Sequence, residues 1–265
     1  MSNFDTLSNR TLRIIKYDGV KHLSPVSFDK SGMLGIANGF ENIIQNIMTL
    51  IKYHEDYSTG VRIDEPEFPL IAVRELVANT LVHQDFNLHG VRPKIEIFDN
   101  KIEFYNPGAP LIETNRFLDS EPKSRNNDLA NLLHELGTVE SRGNGIDRVF
   151  DSLESARLPA MTIVVKSAQD TIVTLRQQKN FKDMSVTEQD QSIYWHSCLK
   201  YVDDEQINNA SLRKRFNLTK NDSNRISKAI MHAINSKLIK PYDSEAGRKL
   251  TTYIPFWGIS SDTTQ

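Results

Sequence analysis

One predicted helix carries two different stripes of side chains. The segment AVRELVANTLVHQD, residues 72–85, has apolar residues at helical spacing, which is typical of a helix packed on a core. Glu75, Asn79 and His83 recur at every fourth position and therefore share one face of that helix. An amide oxygen suits magnesium, and a carboxylate one turn away can deprotonate a water molecule. A solvated helix edge without chemistry is the alternative, so the spacing alone assigns no site.

Two later segments add groups suited to binding an anion. An apolar strand ends at Asn106-Pro107-Gly108, where the asparagine side chain projects as the backbone turns. Further on, Gly143 and Gly145 directly precede a helix. Glycines there let the backbone approach an anion, which meets free N–H groups and the positive end of the helix dipole. A single G-x-G is a weak signal, but the ordered combination of the three segments indicates a pocket.

Composition restricts the class of protein. The chain has 265 residues, a formal net charge of -2 and 38% hydrophobic residues, which fits one large domain plus a small one, or two medium ones. The single cysteine, Cys198, excludes an internal disulfide, and no zinc-ligand spacing occurs. No apolar run approaches the roughly 18 residues of a membrane span, and no signal-peptide core is present. We therefore expect a cytoplasmic protein with no membrane partner.

The pattern of apolar residues and breakers predicts the elements that must position these groups. A helix opens at Pro69, where proline is favoured. The other predicted helices span residues 40–53, 127–136 and 146–153. Strands are predicted at 12–17, 93–98, 101–105, 161–165 and 171–175. A polar, aperiodic stretch, QQKNFKDMSVTEQDQ, follows and is interpreted as a linker.

The C-terminal region is basic, and we interpret it as a separate module. Residues 208–256 hold ten Lys and Arg residues against three acidic residues, although the whole chain is slightly acidic. Three amphipathic segments and a hairpin follow the linker, which predicts a winged helix-turn-helix whose third helix enters the DNA major groove. The predicted DNA contacts are Lys220, Asn224, Arg225 and Lys228 on the third helix, and Arg248 and Lys249 on the wing. A protein-binding adaptor is the alternative.

The ordered segments resemble a known family. VRELVANTLVHQDF, IEFYNPG, SRNNDLANLLHELGTVESRGNGIDRV and LPAMTIVV resemble the Bergerat-type (GHKL) ATP-binding fold of gyrase and histidine kinases. More closely, they resemble the RecG-like C-terminal, or AlbA-associated, transcriptional regulators. The resemblance implies an α+β protein with a two-layer α/β sandwich at residues 57–178. A junction segment, 1–56, would precede it, and a linker, 179–188, would lead to the winged helix-turn-helix at 189–257.

The resemblance also implies ATP and Mg²⁺ as cofactors and assigns roles to residues. Asn79 would coordinate the magnesium ion, and Glu75 would be the general base. Asn106 stands where most of the family has an aspartate that accepts a hydrogen bond from the adenine amino group. The asparagine oxygen can still accept that hydrogen bond, but it lacks the negative charge of the aspartate. Residues 109–142 would form a lid. The remaining implied nucleotide contacts are His83, Gly108, Arg125, Gly143, Gly145 and Thr171.

Together these features predict an ATP-responsive DNA-binding transcriptional regulator that acts on double-stranded DNA as a homodimer. Two alternatives stay open: an active ATPase in DNA processing or defence, and a nucleotide-free scaffold that binds DNA or protein. Glu75 favours the first of these, with weak magnesium-dependent hydrolysis, whereas Asn106 favours the second. A helicase motor has no support, because the P-loop motif G-x-x-x-x-G-K-[ST] does not occur.

Overall fold

A computed structural model gives the chain two compact units. One comprises Met1–Ser152 and Met161–Gln177, and the other comprises Leu153–Ala160 and Gln178–Gln265. The residues whose structure is described are 11–31, 36–56, 63–137, 145–167, 169–243, 245, 247 and 251–261. Within that part of the chain, no helix has the length and apolarity needed to cross a membrane.

The first unit combines a mixed sheet with helices. Its strands are β1 (Arg13–Tyr17), β2 (Val26–Ser31), β3 (Tyr53–Asp56), β4 (Ile63–Pro66), β5 (Lys94–Ile97), β6 (Lys101–Pro107), β7 (Thr162–Lys166) and β8 (Asp170–Arg176). Six of them form one sheet in the order β2-β1-β5-β6-β8-β7, in which β1 runs parallel to β5 and the other pairs are antiparallel. β3 and β4 form a separate antiparallel pair.

Helices α1 (Ile36–Leu50), α2 (Leu70–Val82), α3 (Asn127–Glu135) and α4 (Gly145–Ser155) follow the predicted order. Pro69 is the residue that precedes the first turn of α2, as predicted. Each strand and helix predicted for this unit is confirmed. Strands β2, β3 and β4 were not predicted, because their sequences are polar; β2, for example, is exposed at most of its positions.

The core of the first unit lies between α2 and the sheet. Val73 and Leu76 of α2 are buried, and the helix packs against β6, where Ile102 and Phe104 are also buried. Full burial of such a side chain stabilises the fold by about 1.5–3 kcal/mol. The apolar stripe of the sequence is therefore the buried face of α2, which leaves the polar stripe at its edge.

The second unit is mainly helical. Its helices are α5 (Val186–Val202), α6 (Asn209–Arg215) and α7 (Ser223–Asn235), and its strands are β9 (Ile239–Pro241) and β10 (Tyr253–Pro255). β9 pairs with β10, and Ile207 forms an isolated bridge to Tyr253. Ile226 and Ile230 of α7 are buried, as their spacing predicts.

One helix start differs from the prediction, and a second helix shows the same kind of cap. Helix α5 begins at Val186, inside the stretch interpreted as a linker, because Ser185 and Glu188 form a reciprocal capping box. Helix α6 is capped by Asn208, which exchanges hydrogen bonds with Ser211. A cap satisfies the free backbone N–H groups of the first turn through local side chains. A helix can therefore start in a segment whose polar, aperiodic pattern does not predict one.

Candidate functional site

A cavity of about 430 Å³ lies in the first unit, within the size range of small-molecule sites. Glu75, Asn79 and His83 all line it, so the polar stripe of α2 forms one wall. Strands β6 and β8 supply another wall, and the start of α4 a third. The structure thus brings together the three segments that the sequence singled out.

Glu75 lies against the first turn of α4. Its Oε1 atom is 3.3 Å from Nη1 of Arg148, an ion pair between helices far apart in the sequence. A Cβ atom at Gly145 would stand 2.6 Å from Oε2 of Glu75. Any larger residue at that position would push the carboxylate away, so Gly145 is required for this approach.

Asn79 lies one turn along α2 and is half-buried. Among the described residues, its side-chain amide has no hydrogen-bond partner. Its oxygen is therefore available to a ligand in the cavity. The carboxylate of Glu75 and this amide oxygen face the same space, which is the arrangement that the spacing predicts.

His83 ends α2 and also lines the cavity. Its backbone N–H donates to the carbonyl of Asn79 at 3.0 Å. Burial, together with the positive charge of Arg125, lowers the pKa of the His83 imidazole. This shift favours the neutral imidazole. The contact of His83 with the nucleotide stays a prediction.

Asn106 and Thr171 form the sheet end of the cavity. They are paired opposite each other on β6 and β8, and both line the cavity. The Oγ1 atom of Thr171 donates to the carbonyl of Gly108 at 2.6 Å. The Oδ1 atom of Asn106 is buried and has no partner in the described part of the chain. A buried acceptor without a partner is costly, so this atom is suited to a ligand that donates to it.

Gly108 and Arg125 shape the wall and do not line the cavity. Gly108 has φ +137°, and a Cβ there would lie 3.1 Å from the carbonyl oxygen of His83. The Nη1 atom of Arg125 donates to the carbonyl of Ala109 at 2.9 Å, and its Nε atom is 3.7 Å from Asp85. Arg125 therefore clamps the segment after β6 onto the end of α2. The guanidinium of Arg125 thus has two protein partners, and its contact with the nucleotide stays a prediction.

Several lining residues were missed at the sequence level. Lys123 lines the cavity, and so do three residues of α3: Asn127, Asn131 and His134. The three recur at intervals of four and three, the same helical spacing that marks the stripe on α2. The sequence therefore contained a signal for the three residues of α3. It contained none for the pairing of Arg148 with Glu75, since residues 73 positions apart share no local pattern. Gly143 lies outside the described residues.

The predicted DNA contacts of the second unit are solvent-exposed where they are described. Lys220, Asn224, Arg225 and Lys228 are all exposed, on α7 or directly before it. The Nη1 atom of Arg225 lies 2.7 Å from Asp222, so this guanidinium already has a partner. Arg248 and Lys249 lie outside the described residues.

Comparison with known proteins detects an ATPase-like domain family. Residues 90–175 match the family model described as "Putative ATP-dependent DNA helicase recG C-terminal". The match covers β5 to most of β8 and includes Asn106 and Gly145, but it begins after α2. No curated protein matches the chain.

A solved structure shares the fold. The DIP2311 protein from Corynebacterium diphtheriae superposes with a TM-score of 0.61 at 17% sequence identity, over 94% of this chain and 52% of that one. This chain thus spans about half the length of that protein. The chain accordingly combines a mixed α+β fold with a region similar to an ATPase domain family, and the cavity lies within that fold.

Proposed function

We propose that the first unit binds Mg-ATP in the cavity beside α2 and that the second unit is a winged helix that binds double-stranded DNA. The protein would then be an ATP-responsive, DNA-binding transcriptional regulator. The observation that carries the nucleotide part is the convergence of Glu75, Asn79 and Gly145 on one cavity.

The residues present fit a magnesium nucleotide. Asn79 lines the cavity and offers an amide oxygen, a hard ligand of the type that Mg²⁺ accepts. Asn106 offers a buried acceptor for a ligand N–H group. Gly145 begins an eleven-residue helix, whose N–H groups and dipole favour a phosphate. Lys123 adds a positive charge to the lining. Bound Mg²⁺ would neutralise phosphate charge beside Asn79.

Glu75 is the group suited to accept a proton from water. Arg148 holds its carboxylate beside the first turn of α4, which places the acid next to the helix end proposed to face the phosphates. Proposed roles follow: Asn79 is the metal ligand, Glu75 the general base and Arg148 a positioning residue for Glu75.

The nucleotide proposal is tested by calorimetric titration of the full chain with ATP, with Mg²⁺ and with excess EDTA. We expect saturable binding of one nucleotide per chain with Mg²⁺ and much weaker binding with EDTA, because Asn79 would hold the metal that neutralises phosphate charge. Failure to bind under both conditions would favour the scaffold alternative. Steady turnover of bound ATP, abolished by Glu75→Gln, would favour the ATPase alternative.

The element order of the second unit supports the DNA proposal. Three helices are followed by a two-stranded pair, with Ile207 bridged to Tyr253 as a third short strand would be. In a winged helix the last helix enters the major groove. Helix α7 buries Ile226 and Ile230 and leaves polar and basic residues on its outer face. One such module makes few base contacts, so we propose a homodimer on a two-fold site.

The DNA proposal is tested by measuring the affinity of the protein for duplex DNA of any sequence. Removing two basic groups, in Lys220→Ala/Lys228→Ala, is expected to weaken binding to random-sequence duplex and to flatten the log–log salt dependence by roughly two units, because each phosphate contact contributes about 0.9. Fluorescence anisotropy across a salt series measures the affinity and the slope of its salt dependence. Lys166→Ala, an exposed charge of the first unit, is the matched control and should leave the slope unchanged. Absence of salt-dependent binding by the wild type would identify the module as a protein adaptor.

A further inference from the structure

A second polar cluster lies on the sheet, apart from the cavity. His22, in the loop between β1 and β2, approaches Glu96 of β5 and Glu103 of β6. One ligand atom from each side chain lies within 4.8 Å of the others. Glu96 and Glu103 are directly opposite each other in the antiparallel pair of β5 and β6. Like charges at such positions are destabilising unless a cation lies between them.

We propose that His22, Glu96 and Glu103 form a binding site for a divalent transition metal of the zinc class. One nitrogen and two carboxylate oxygens make a ligand set that Zn²⁺ accepts, with water as the fourth ligand. The nitrogen favours zinc over magnesium, which prefers oxygen ligands alone. Nothing in the proposed nucleotide site is needed for this inference.

The distances support coordination over hydrogen bonding. Nε2 of His22 is 3.4 Å from Oε2 of Glu103, and Nδ1 is 3.6 Å from Oε1 of Glu96. Charge-assisted hydrogen bonds between such groups are shorter, about 2.7–2.9 Å. Only one ring nitrogen can bind the ion, so only one of these two distances can be a separation between ligand atoms. The 3.4 Å between Nε2 and Oε2 of Glu103 matches the separation of about 3.4 Å between two ligands of a tetrahedral ion with bonds of about 2.1 Å. The side chain of His22 is 56% exposed, so an ion can reach its ring from solvent.

The surrounding residues hold the two carboxylates in place. Lys94 contacts Oε2 of Glu96 at 3.0 Å, and Lys101 contacts Oε1 of Glu103. Each lysine therefore uses the carboxylate oxygen that faces away from His22 and leaves the other to the ion. Carboxylate ligands are commonly oriented by such hydrogen bonds. The two ammonium groups also repel a cation, so we expect micromolar affinity.

Aromatic contacts place the histidine. The His22 ring packs edge-on against Tyr17 and Phe98, with ring centroids 5.9 and 4.9 Å away. Tyr17 donates its hydroxyl to Oε1 of Glu96 at 2.9 Å. A bound ion would tie the β1–β2 loop to the middle of the sheet.

The test is a titration of the full chain with Zn²⁺ at pH 7.5, followed by calorimetry, and with Co²⁺, followed by its visible absorption. We expect one ion per chain, a tetrahedral Co²⁺ spectrum and a raised melting temperature, since the ion binds only the folded chain. His22→Ala and Glu103→Gln should each lower the affinity by more than about 100-fold, beyond the 10–100-fold typical of groups that only support a ligand.

His89→Ala and Glu113→Gln remove an exposed imidazole and an exposed carboxylate elsewhere in the same unit and should leave binding unchanged. Circular dichroism of the apo variants checks that each is folded. Binding that survives both His22→Ala and Glu103→Gln would overturn the proposal, as would the absence of stoichiometric binding to a folded wild type. In the latter case, His22 serves only as a polar contact of the two carboxylates.

Discussion

Asn79→Ala is expected to abolish magnesium-dependent nucleotide binding, whereas Glu75→Gln is expected to preserve it. Asn79 offers the only unpartnered amide oxygen on the α2 wall of the cavity, among the described residues, and alanine offers no oxygen to the metal. Glu75→Gln keeps the shape of a side chain that lies against Gly145. Glutamine cannot accept a proton from water, so any hydrolysis should fall by roughly 10²–10⁴-fold.

Calorimetry with Mg-ATP and a steady-state phosphate assay separate the two effects. Asn131→Ala is the matched control, because it removes an amide from the α3 wall of the same cavity. It should weaken binding modestly and keep the dependence on magnesium. Equal affinities of wild type and Asn79→Ala for Mg-ATP would show that the metal is bound elsewhere.

The largest expected effect on stability lies in a buried charge cluster of the second unit. Glu154 contacts Nδ1 of His196 at 2.9 Å and Nε of Arg215 at 3.2 Å. The Arg215 side chain is only 4% exposed. Burial opposes ionisation of Glu154, but the hydrogen bond from His196 and the charges of His196 and Arg215 outweigh it and lower its pKa. Glu154→Gln should destabilise this unit by about 3–5 kcal/mol, because Arg215 would remain buried without a counter-charge.

Denaturation followed by tryptophan fluorescence measures this unit selectively. Both tryptophans of the chain, Trp195 and Trp257, belong to it. Glu205→Gln, which removes an exposed partner of Lys200, is the control and should show no measurable change. The double variant Glu154→Gln/Arg215→Met should recover much of the loss, since no unpaired charge stays buried. A loss that the double variant does not recover would assign the effect to packing.

The effect of Glu154→Gln has a defined pH dependence. The folded-state pKa of Glu154 lies below its usual value, so its stabilising contribution is complete above about pH 4.5, the ordinary pKa of a glutamate. The contribution is lost as the pH falls through the lowered, folded-state value. The difference in stability between wild type and variant should therefore shrink in acid.

The polar face of α2 and the order of the predicted helices and strands were determined by the sequence alone, whereas the polar strands β2, β3 and β4 were not. Helical spacing is a local property, so the positions of Glu75 and Asn79 on one face followed directly from the chain. The turn at Pro107-Gly108 and the start of α4 at Gly145 could also be predicted from the sequence. Proline restricts its own backbone and glycine frees it, so both act locally. The family resemblance then linked these segments to one pocket.

Only the tertiary structure decided which distant groups meet. Arg148 pairs with Glu75, and Glu154 pairs with Arg215, through the packing of helices. His22 reaches two strands because the sheet order brings β1 beside β5 and β5 beside β6. Such contacts join positions tens of residues apart, and no periodicity records them. Arg125 illustrates the same limit: its hydrogen bond to the carbonyl of Ala109 could not be predicted from the sequence. A charged side chain takes the partner that the folded chain puts within reach, and that partner depends on packing that local pattern does not contain.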